Sequence, residues 1–180
     1  YVNLAGKNGA GRSGGAASTA MIVKDTITTD PELGTNANAS NGYYLSYLYS
    51  FGLFLDFEIT SDRATQATLI LRLSAEQLDP FVITDDDYLV TVNGQKVNYG
   101  SVTINGAFAA LQLRTLPFED VLSVTINLVE GKNTIRLTTN NQVSMGGTME
   151  STAPLLDCIK IDTIAVLHWQ PVLTNLSVFD

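Results

Sequence analysis

Residues 87–97 have the sequence DYLVTVNGQKV. Apolar and polar side chains alternate along its first half, which is the pattern of a half-buried β-strand. Asn93 and Gly94 follow, and this dipeptide favours a type I′ turn because both residues adopt a positive φ readily. The stretch therefore predicts an antiparallel hairpin, and half-buried antiparallel strands are typical of β-sandwiches and β-barrels.

The same alternation recurs along the chain. Residues 126–139, INLVEGKNTIRLTT, join two alternating runs through the turn Glu130-Gly131-Lys132-Asn133, so residues 116–128 and 134–139 are predicted to form a second hairpin. Further predicted strands occupy residues 20–26, 43–49, 51–60, 67–74, 97–104, 108–113 and 155–161. About ten strands with long connections predict an all-β fold, namely a two-sheet antiparallel β-sandwich of the jelly-roll type.

The chain is organised as one module. Residues 1–18, with five glycines, are predicted to be a flexible linker or an N-terminal arm. Residues 19–180 are predicted to form a single β-sandwich, whose tail at 165–180 adds an edge strand or leads into a neighbouring domain. A short helix is predicted near residues 75–79. The chain starts at Tyr1 without a methionine or a leader, which we interpret as a mature protein or a piece of a longer one.

Charge and composition restrict the partners. The formal net charge of −8 argues against nucleic acid, because affinity for phosphates requires clustered Lys and Arg. The same charge argues against adhesion to anionic lipid, and no stretch approaches the length of about 18 apolar residues that membrane insertion requires. An acidic, globular composition is compatible with a neutral ligand and with an extracellular protein, either secreted or attached to a cell surface.

Catalytic chemistry finds little support in the residues. The single histidine, His168, has no acid beside it in the sequence. A Gly-x-Ser-x-Gly pattern occurs at residues 11–15, but it lies within a glycine-rich stretch and not between a predicted strand and a predicted helix. A two-carboxylate glycosidase mechanism needs only Asp and Glu and stays open, although the acids cluster in turns. We predict that the chain is not an enzyme. The single cysteine, Cys158, excludes an internal disulfide and is predicted to be a small buried side chain.

One acidic run offers oxygen ligands for a metal ion. Asp85, Asp86 and Asp87 carry the hard oxygen atoms that Ca²⁺ prefers, but their spacing matches no EF-hand loop. A solvated acidic turn before a strand is the favoured interpretation. We therefore predict no metal and no cofactor, with a structural Ca²⁺ as the less favoured alternative.

Aromatic residues are the candidates for ligand contact. Sugars present flat C–H faces that stack on Tyr and Trp, and their hydroxyl groups bind side chains such as Asn and Glu. Three tyrosines fall on one face of a predicted strand, although each could fill the core instead, and the single tryptophan could pack on a sheet edge. The predicted carbohydrate-binding residues are Tyr43, Tyr47, Tyr49, Trp169, Asn140, Asn141 and Glu76.

Several segments resemble carbohydrate-binding modules of families 6 and 35. Residues 40–48, SNGYYLSYL, are similar to the second strand of those modules, and residues 67–74 are similar to their Arg-containing strand. Residues 154–161, PLLDCIKI, are similar to their closing strand with its Asp, and the two predicted hairpins are similar as well. The resemblance covers residues 20–162 and implies a galactose-binding-like jelly roll that binds carbohydrate without catalysis.

The chain departs from the family pattern at two places. The family opens with Glu-Ala-Glu, whose carboxylates join the closing-strand Asp around Ca²⁺, whereas residues 21–25 here are MIVKD. The resemblance therefore implies that this calcium site is lost, and we expect Lys24 to pair with Asp157 instead. Leu155 stands where the family often has a sugar-binding Asn, so the family's loop-end sugar site is not carried over.

The resulting prediction is non-catalytic binding of a neutral polysaccharide, a plant cell-wall glycan such as xylan, mannan or β-glucan. The module is expected to target an attached glycan-degrading enzyme within a secreted bacterial protein. The alternative is a structural or protein-interaction β-sandwich of a bacterial cell-surface protein. An exposed pair of aromatic side chains with polar neighbours in a groove favours the first function, and burial of every Tyr and of Trp169 favours the second.

Overall fold

The structure is a computed structural model, and it describes several parts of the chain. These are residues 2–3, 21–24, 39–40, 43–46, 54–74, 80–105, 118–139, 154–169 and 178–179. The predicted strand at 108–113 and the predicted helix near 75–79 lie outside them. Among the described residues there is no helix long and apolar enough to cross a membrane.

Strands dominate the part of the chain that the structure describes. Fourteen strands occur there, and ten of them have four residues or more. In chain order they are β1 (Val2–Asn3), β2 (Met21–Lys24), β3 (Tyr43–Ser46), β4 (Phe54–Ser61), β5 (Thr65–Ser74), β6 (Phe81–Thr84), β7 (Tyr88–Val92), β8 (Gln95–Lys96), β9 (Ser101–Ile104), β10 (Glu119–Leu128), β11 (Gly131–Thr139), β12 (Leu155–Asp162), β13 (Leu167–His168) and β14 (Val178–Phe179). The all-β class predicted from the alternation is confirmed. The predicted arm at residues 1–18 includes β1, and the domain boundaries stay a prediction.

The strands form two six-stranded sheets and one small ribbon. Sheet I has the order β1-β4-β11-β7-β8, and β13 pairs with the end of β4. Sheet II has the order β10-β5-β12-β3-β2-β14, and β6 pairs with β9 separately. These pairs are antiparallel, except that β14 runs parallel to β2. The predicted two-sheet antiparallel β-sandwich is confirmed.

Side chains of both sheets meet in one apolar core. On β5, Leu69, Leu71 and Leu73 are fully buried, whereas the residues between them lie on the outer side. On β11, Ile135 and Leu137 are fully buried in the same cluster. Removing each such side chain from water contributes about 1.5–3 kcal/mol to folding. The period of two in the sequence therefore determines which face of each strand packs inward.

The turn at Asn93 confirms the first predicted hairpin. β7 and β8 pair in antiparallel register, with Thr91 opposite Lys96. The angle φ is 51° at Asn93 and 79° at Gly94, and a type I′ turn requires positive values at both residues. The Asn93 side chain also accepts a hydrogen bond from the N–H of Thr134 at 2.9 Å, which ties the turn to β11.

The second predicted hairpin is wrong. β10 pairs with β5 of sheet II, whereas β11 pairs with β4 and β7 of sheet I. Both strands turn apolar side chains towards the shared core, so their alternation does not distinguish a hairpin from a connection between sheets. The buried side chain of Asn133 stabilises this connection. Its Oδ1 accepts the N–H of Val129, and its Nδ2 donates to the carbonyl oxygen atoms of Val129 and Gly131.

The strand directions define two ends of the sandwich. The short connections from β4 to β5, from β7 to β8 and from β10 to β11 lie at one end, which we call the turn end. β3, β5 and β11 finish at the opposite end, which we call the loop end because longer stretches of sequence follow these strands.

Candidate functional site

The clearest candidate surface lies at the turn end, in residues 163–169. These residues continue from β12 and return along sheet I as β13. β13 pairs with the end of β4, which places Leu167 opposite Ser61 and His168 opposite Thr60. Leu167 packs against the core, and His168 is exposed. The tail therefore adds an edge strand, and His168 lies at the edge as the sequence predicted.

Three large apolar side chains of this segment are exposed. The exposed fraction is 79% for Ile164, 54% for Val166 and 68% for Trp169. Single exposed apolar residues are normal on soluble proteins, but three of them within six residues of one edge indicate a contact surface. We call Ile164, Val166 and Trp169 together the Trp169 edge.

Asp62 fastens the Trp169 edge to sheet I. Its backbone N–H donates to the carbonyl oxygen of Val166 at 3.1 Å, and the N–H of Val166 donates to Asp62 Oδ1 at 2.9 Å. Arg63 donates to the same carboxylate, from Nε to Oδ1 at 3.1 Å and from Nη2 to Oδ2 at 2.8 Å. We call this arrangement of Asp62, Arg63 and Val166 the Asp62 bracket.

The Asp62 bracket is charged at neutral pH. The hydrogen bond from the Arg63 side chain and the one from the Val166 N–H lower the pKa of the Asp62 carboxyl below its usual 3.8. The hydrogen bond to Asp62 raises the pKa of Arg63 in turn. Both side chains lie at the surface, where salt and water screen the attraction between their charges. The directional hydrogen bonds, rather than the attraction between the charges, therefore determine how Asp62, Arg63 and Val166 are placed relative to one another.

The other aromatic side chains that the structure describes pack against neighbouring residues of the protein and are buried or half-buried. Tyr44 packs against Phe118 with ring centroids 5.5 Å apart. The guanidinium of Arg136 covers the Phe54 ring, 3.8 Å from its centroid. The remaining rings are buried or half-buried, and they are Phe57, Tyr88 and Tyr99. Within the described side chains, Trp169 is thus the exposed aromatic one.

An exposed indole ring on a sheet edge is suited to binding by contact. Its flat face can stack on the C–H face of a pyranose, while the sugar hydroxyl groups stay accessible to water and to polar side chains. Thr60 and His168, which are paired across β4 and β13, are exposed polar residues of the two strands that precede Trp169 in this region. A flat, exposed ring of this kind can serve as a shallow platform for a sugar.

Trp169 is the one predicted site residue whose side chain the structure describes. Tyr43 begins β3, where it pairs with Lys24 of β2, and its side chain is not described. The others lie outside the described residues, and they are Tyr47, Tyr49, Glu76, Asn140 and Asn141. In the sequence they follow β3, β5 and β11, which finish at the loop end, whereas the Trp169 edge belongs to the turn end.

Strand β12, which corresponds to the predicted closing strand, carries a buried carboxylate at Asp157, whose side chain is 1% exposed. Its Oδ1 accepts the backbone N–H of Ser40 at 2.9 Å and the Ser40 hydroxyl at 2.8 Å. Its Oδ2 accepts Nε of Arg72 at 2.8 Å. The sequence predicted Lys24 as the partner, but the structure gives these contacts to Ser40 and Arg72, and the Lys24 side chain is not described.

Cys158 is half-buried, so the prediction that it is a small buried side chain is wrong. The register between β12 and β5 shifts between Leu156 and Cys158, and this irregularity turns Cys158 to the outer side, opposite Arg72. Ile159 then returns to the core. Partial burial, followed by the charge of Asp157, raises the pKa of the Cys158 thiol.

The acidic run at residues 85–87 forms the turn between β6 and β7. Nζ of Lys96 lies 3.1 Å from Asp85 and 2.6 Å from Asp86. The N–H of Gly100 donates to Asp85 at 2.6 Å, and this hydrogen bond, followed by that from Lys96, lowers the pKa of Asp85. In the described ranges, no three His, Cys, Asp or Glu side chains stand in an arrangement that could hold a metal ion.

Three residues of the candidate surface were not predicted from the sequence, namely Asp62, Ile164 and Val166. Asp62 lies in a short polar connection between two strands, where Asp is common for local reasons. Only the pairing of β13 with β4 brings it beside Val166, a residue 104 positions later. The available signal was the run IAVL at residues 164–167, because apolar side chains without alternation cannot all face one core.

Comparison with known proteins identifies the fold. No family model and no curated protein sequence matches the chain. Among solved structures, a family 35 carbohydrate-binding module from Clostridium thermocellum matches with a TM-score of 0.52 and 19% identity, over 87% of this chain and 95% of that one. A CBM35 from Cellvibrio japonicus Abf62 matches with a TM-score of 0.53 and 10% identity, over 85% and 99%. A Xyl-CBM35 in complex with a glucuronic acid containing disaccharide matches with a TM-score of 0.50 and 12% identity, over 76% and 86%.

At identities between 10% and 19%, such likeness establishes the fold. The chain has the jelly-roll fold of family 35 carbohydrate-binding modules. The resemblance that the sequence segments carried is therefore confirmed at the level of the fold.

Proposed function

We propose that the chain is a non-catalytic module that binds a neutral polysaccharide, a plant cell-wall glycan such as xylan, mannan or β-glucan, and keeps an attached glycan-degrading enzyme close to it. The observation that carries this proposal is the exposed Trp169 on a fastened sheet edge, in a fold shared with carbohydrate-binding modules. The proposal includes an extracellular location, either secreted or attached to a bacterial cell surface.

A neutral sugar suits the charges around Trp169. The chain has a formal net charge of −8, which disfavours an anionic polymer. Arg63, the cation of the adjoining turn, already donates two hydrogen bonds to Asp62. Contact with the sugar therefore relies on stacking against the indole ring and on hydrogen bonds to the sugar hydroxyl groups.

Binding at such an edge is expected to be weak for a single site. An open edge surrounds few ligand atoms, and a small contact area leaves little free energy after the cost of association. The benefit for an attached enzyme comes from effective concentration, because tethering turns repeated encounters with a polymer into local ones. Weak binding is therefore compatible with a targeting function.

We also propose that binding requires no metal ion and no other cofactor. Asp157 matches the closing-strand Asp that joins Ca²⁺ in the resembling family, and both of its oxygen atoms are already engaged by Ser40 and Arg72. The guanidinium of Arg72 supplies the positive charge that balances this buried carboxylate.

Affinity gel electrophoresis tests both proposals. We expect retarded migration of the whole chain in native gels that contain xylan, mannan or β-glucan, and free migration in gels without polysaccharide. The retardation is expected to stay the same in EDTA, because Asp157 is balanced by protein groups. Free migration on every glycan of the panel contradicts the proposed function, and retardation that EDTA abolishes contradicts only the independence from metal.

A protein-interaction role is the second candidate, and the exposure of Ile164 and Val166 favours it. Aliphatic side chains offer no flat ring to a sugar, but they pack well against the apolar centre of a protein interface. In that case the Trp169 edge docks against a neighbouring domain of the same polypeptide. The two functions differ in the gel assay, because a docking surface is not retarded by any polysaccharide.

A further inference from the structure

The Trp169 edge is attached to the sandwich by a small number of described contacts. β13 pairs with β4 over only two residues, and strands this short are marginal on their own. Just before β13, Asp62 makes two hydrogen bonds with the main chain of Val166. The Asp62 N–H donates to the Val166 carbonyl oxygen, and the Asp62 carboxylate accepts the Val166 N–H. Leu167 of the same segment packs against the core. The Asp62 carboxylate adds a directional hydrogen bond next to it, between Ile164 and Trp169, and so contributes to fixing residues 163–169 on the sheet.

We infer that Asp62 is a positioning residue of the ligand-binding surface, because its carboxylate holds the Val166 N–H and so fixes how Trp169 is presented at the sheet edge. The inference rests on the proposed function for its ligand, a neutral polysaccharide, but it has a structural consequence that needs no ligand. A fixed platform loses less conformational freedom on binding than a mobile one and therefore binds more tightly.

Protonation of Asp62 is expected to loosen the edge. Because its pKa is lowered in the folded chain, the carboxylate stabilises the attached segment at neutral pH, and this stabilisation is lost as the pH falls through 3.8 and then through the lower folded value. Arg63 contacts the carboxylate directly. Of the charged groups on the neighbouring strands, Lys132 is paired with Glu58, and His168 is exposed on β13.

The fluorescence of Trp169 reports on this edge alone, because the chain has one tryptophan. In the full chain, Asp62→Ala is expected to lower the anisotropy of Trp169 and to weaken binding to xylan, mannan or β-glucan about fivefold. The matched control is Arg63→Ala, which keeps the hydrogen bond from the Val166 N–H to Asp62. We expect this control to change binding by less than about twofold.

Asp62→Asn separates the hydrogen bond from the titration. Its amide oxygen still accepts the Val166 N–H but is neutral, as the protonated carboxyl is, so this hydrogen bond is weaker than the one to the carboxylate. The anisotropy of Asp62→Asn is therefore expected to lie between those of the wild type and Asp62→Ala, and its change in acid is expected to disappear. Lower anisotropy and weaker binding in Asp62→Ala, with smaller losses in Asp62→Asn, support the inference.

Two outcomes overturn the inference. The first is unchanged anisotropy in Asp62→Ala at unchanged circular dichroism. The second is weaker binding in Trp169→Ala together with wild-type binding in Asp62→Ala, which leaves the proposed function intact. If the wild-type chain binds no polysaccharide, the proposed function fails, and the anisotropy with its pH profile still decides whether Asp62 positions Trp169.

Discussion

Replacing Asp157 by alanine is expected to lower the free energy of unfolding by about 3 kcal/mol. The buried carboxylate accepts three hydrogen bonds from Ser40 and Arg72. Without it, the guanidinium of Arg72, whose side chain is 21% exposed, loses its close carboxylate, and Ser40 loses the acceptor of its N–H and hydroxyl. Removing one member of a buried pair costs more than the pair contributes, because the other charge stays largely out of water.

Thermal unfolding measures this effect. For a domain of this length the loss corresponds to a decrease in Tm of about 6–12 °C. Asp162→Ala is the matched control, because Asp162 is exposed on the same strand and its removal is expected to change stability by less than about 0.5 kcal/mol. The Tm of Asp157→Asn is expected to lie between those of Asp157→Ala and Asp162→Ala, since this variant keeps an acceptor for Ser40 but removes the negative charge. Equal stability of Asp157→Ala and the wild type contradicts the structural role of this carboxylate.

Replacing Asn133 by alanine is expected to lower the free energy of unfolding by about 2–3 kcal/mol. The side chain is fully buried at the turn end, where it bonds to the main chain at Val129 and Gly131. Its Oδ1 also accepts Nδ2 of Asn93 at 2.9 Å. One amide thus joins the connection between the sheets to the β7–β8 turn, and its removal leaves several polar groups without their partner.

Denaturant unfolding of Asn133→Ala measures this loss. Asn127→Ala is the matched control, because Asn127 is an exposed amide on β10, close in sequence to the same connection. We expect the midpoint to shift for Asn133→Ala with little change in the slope, and to stay near the wild-type value for Asn127→Ala. Similar midpoints for both variants contradict the role assigned to the buried amide.

Alternation in the sequence was sufficient to locate most strands, because each strand buries one face in a shared core. It was not sufficient to choose partners. Residues 126–139 alternate equally well as a hairpin and as a link between two sheets, and only the tertiary structure shows that Leu128 and Ile135 face the core from opposite sheets. The Asn93-Gly94 turn was predictable because its φ values restrict the residue types that fit.

Contacts between distant residues account for what the sequence did not reveal about the candidate site. Arg72 and Asp157 are 85 positions apart, and they meet only because β12 lies beside β5. Lys24 was the expected partner because it occupies the stretch where the resembling family has acids. The exposure of Trp169 could not be predicted either. A tryptophan that follows a short apolar run can pack against the sheet edge or point into solvent, and the register of the edge strand decides between the two.

The central claim is that Trp169 contacts the polysaccharide, and the fluorescence of this single tryptophan tests it most directly. The chain is titrated with whichever glycan retards it in the gel, while the emission spectrum and quenching by acrylamide are recorded. We expect the emission to shift to shorter wavelength and the quenching to decrease, both saturating with the affinity found in the gel. Emission and quenching that stay unchanged while the glycan binds would show that the sugar is held elsewhere on the protein.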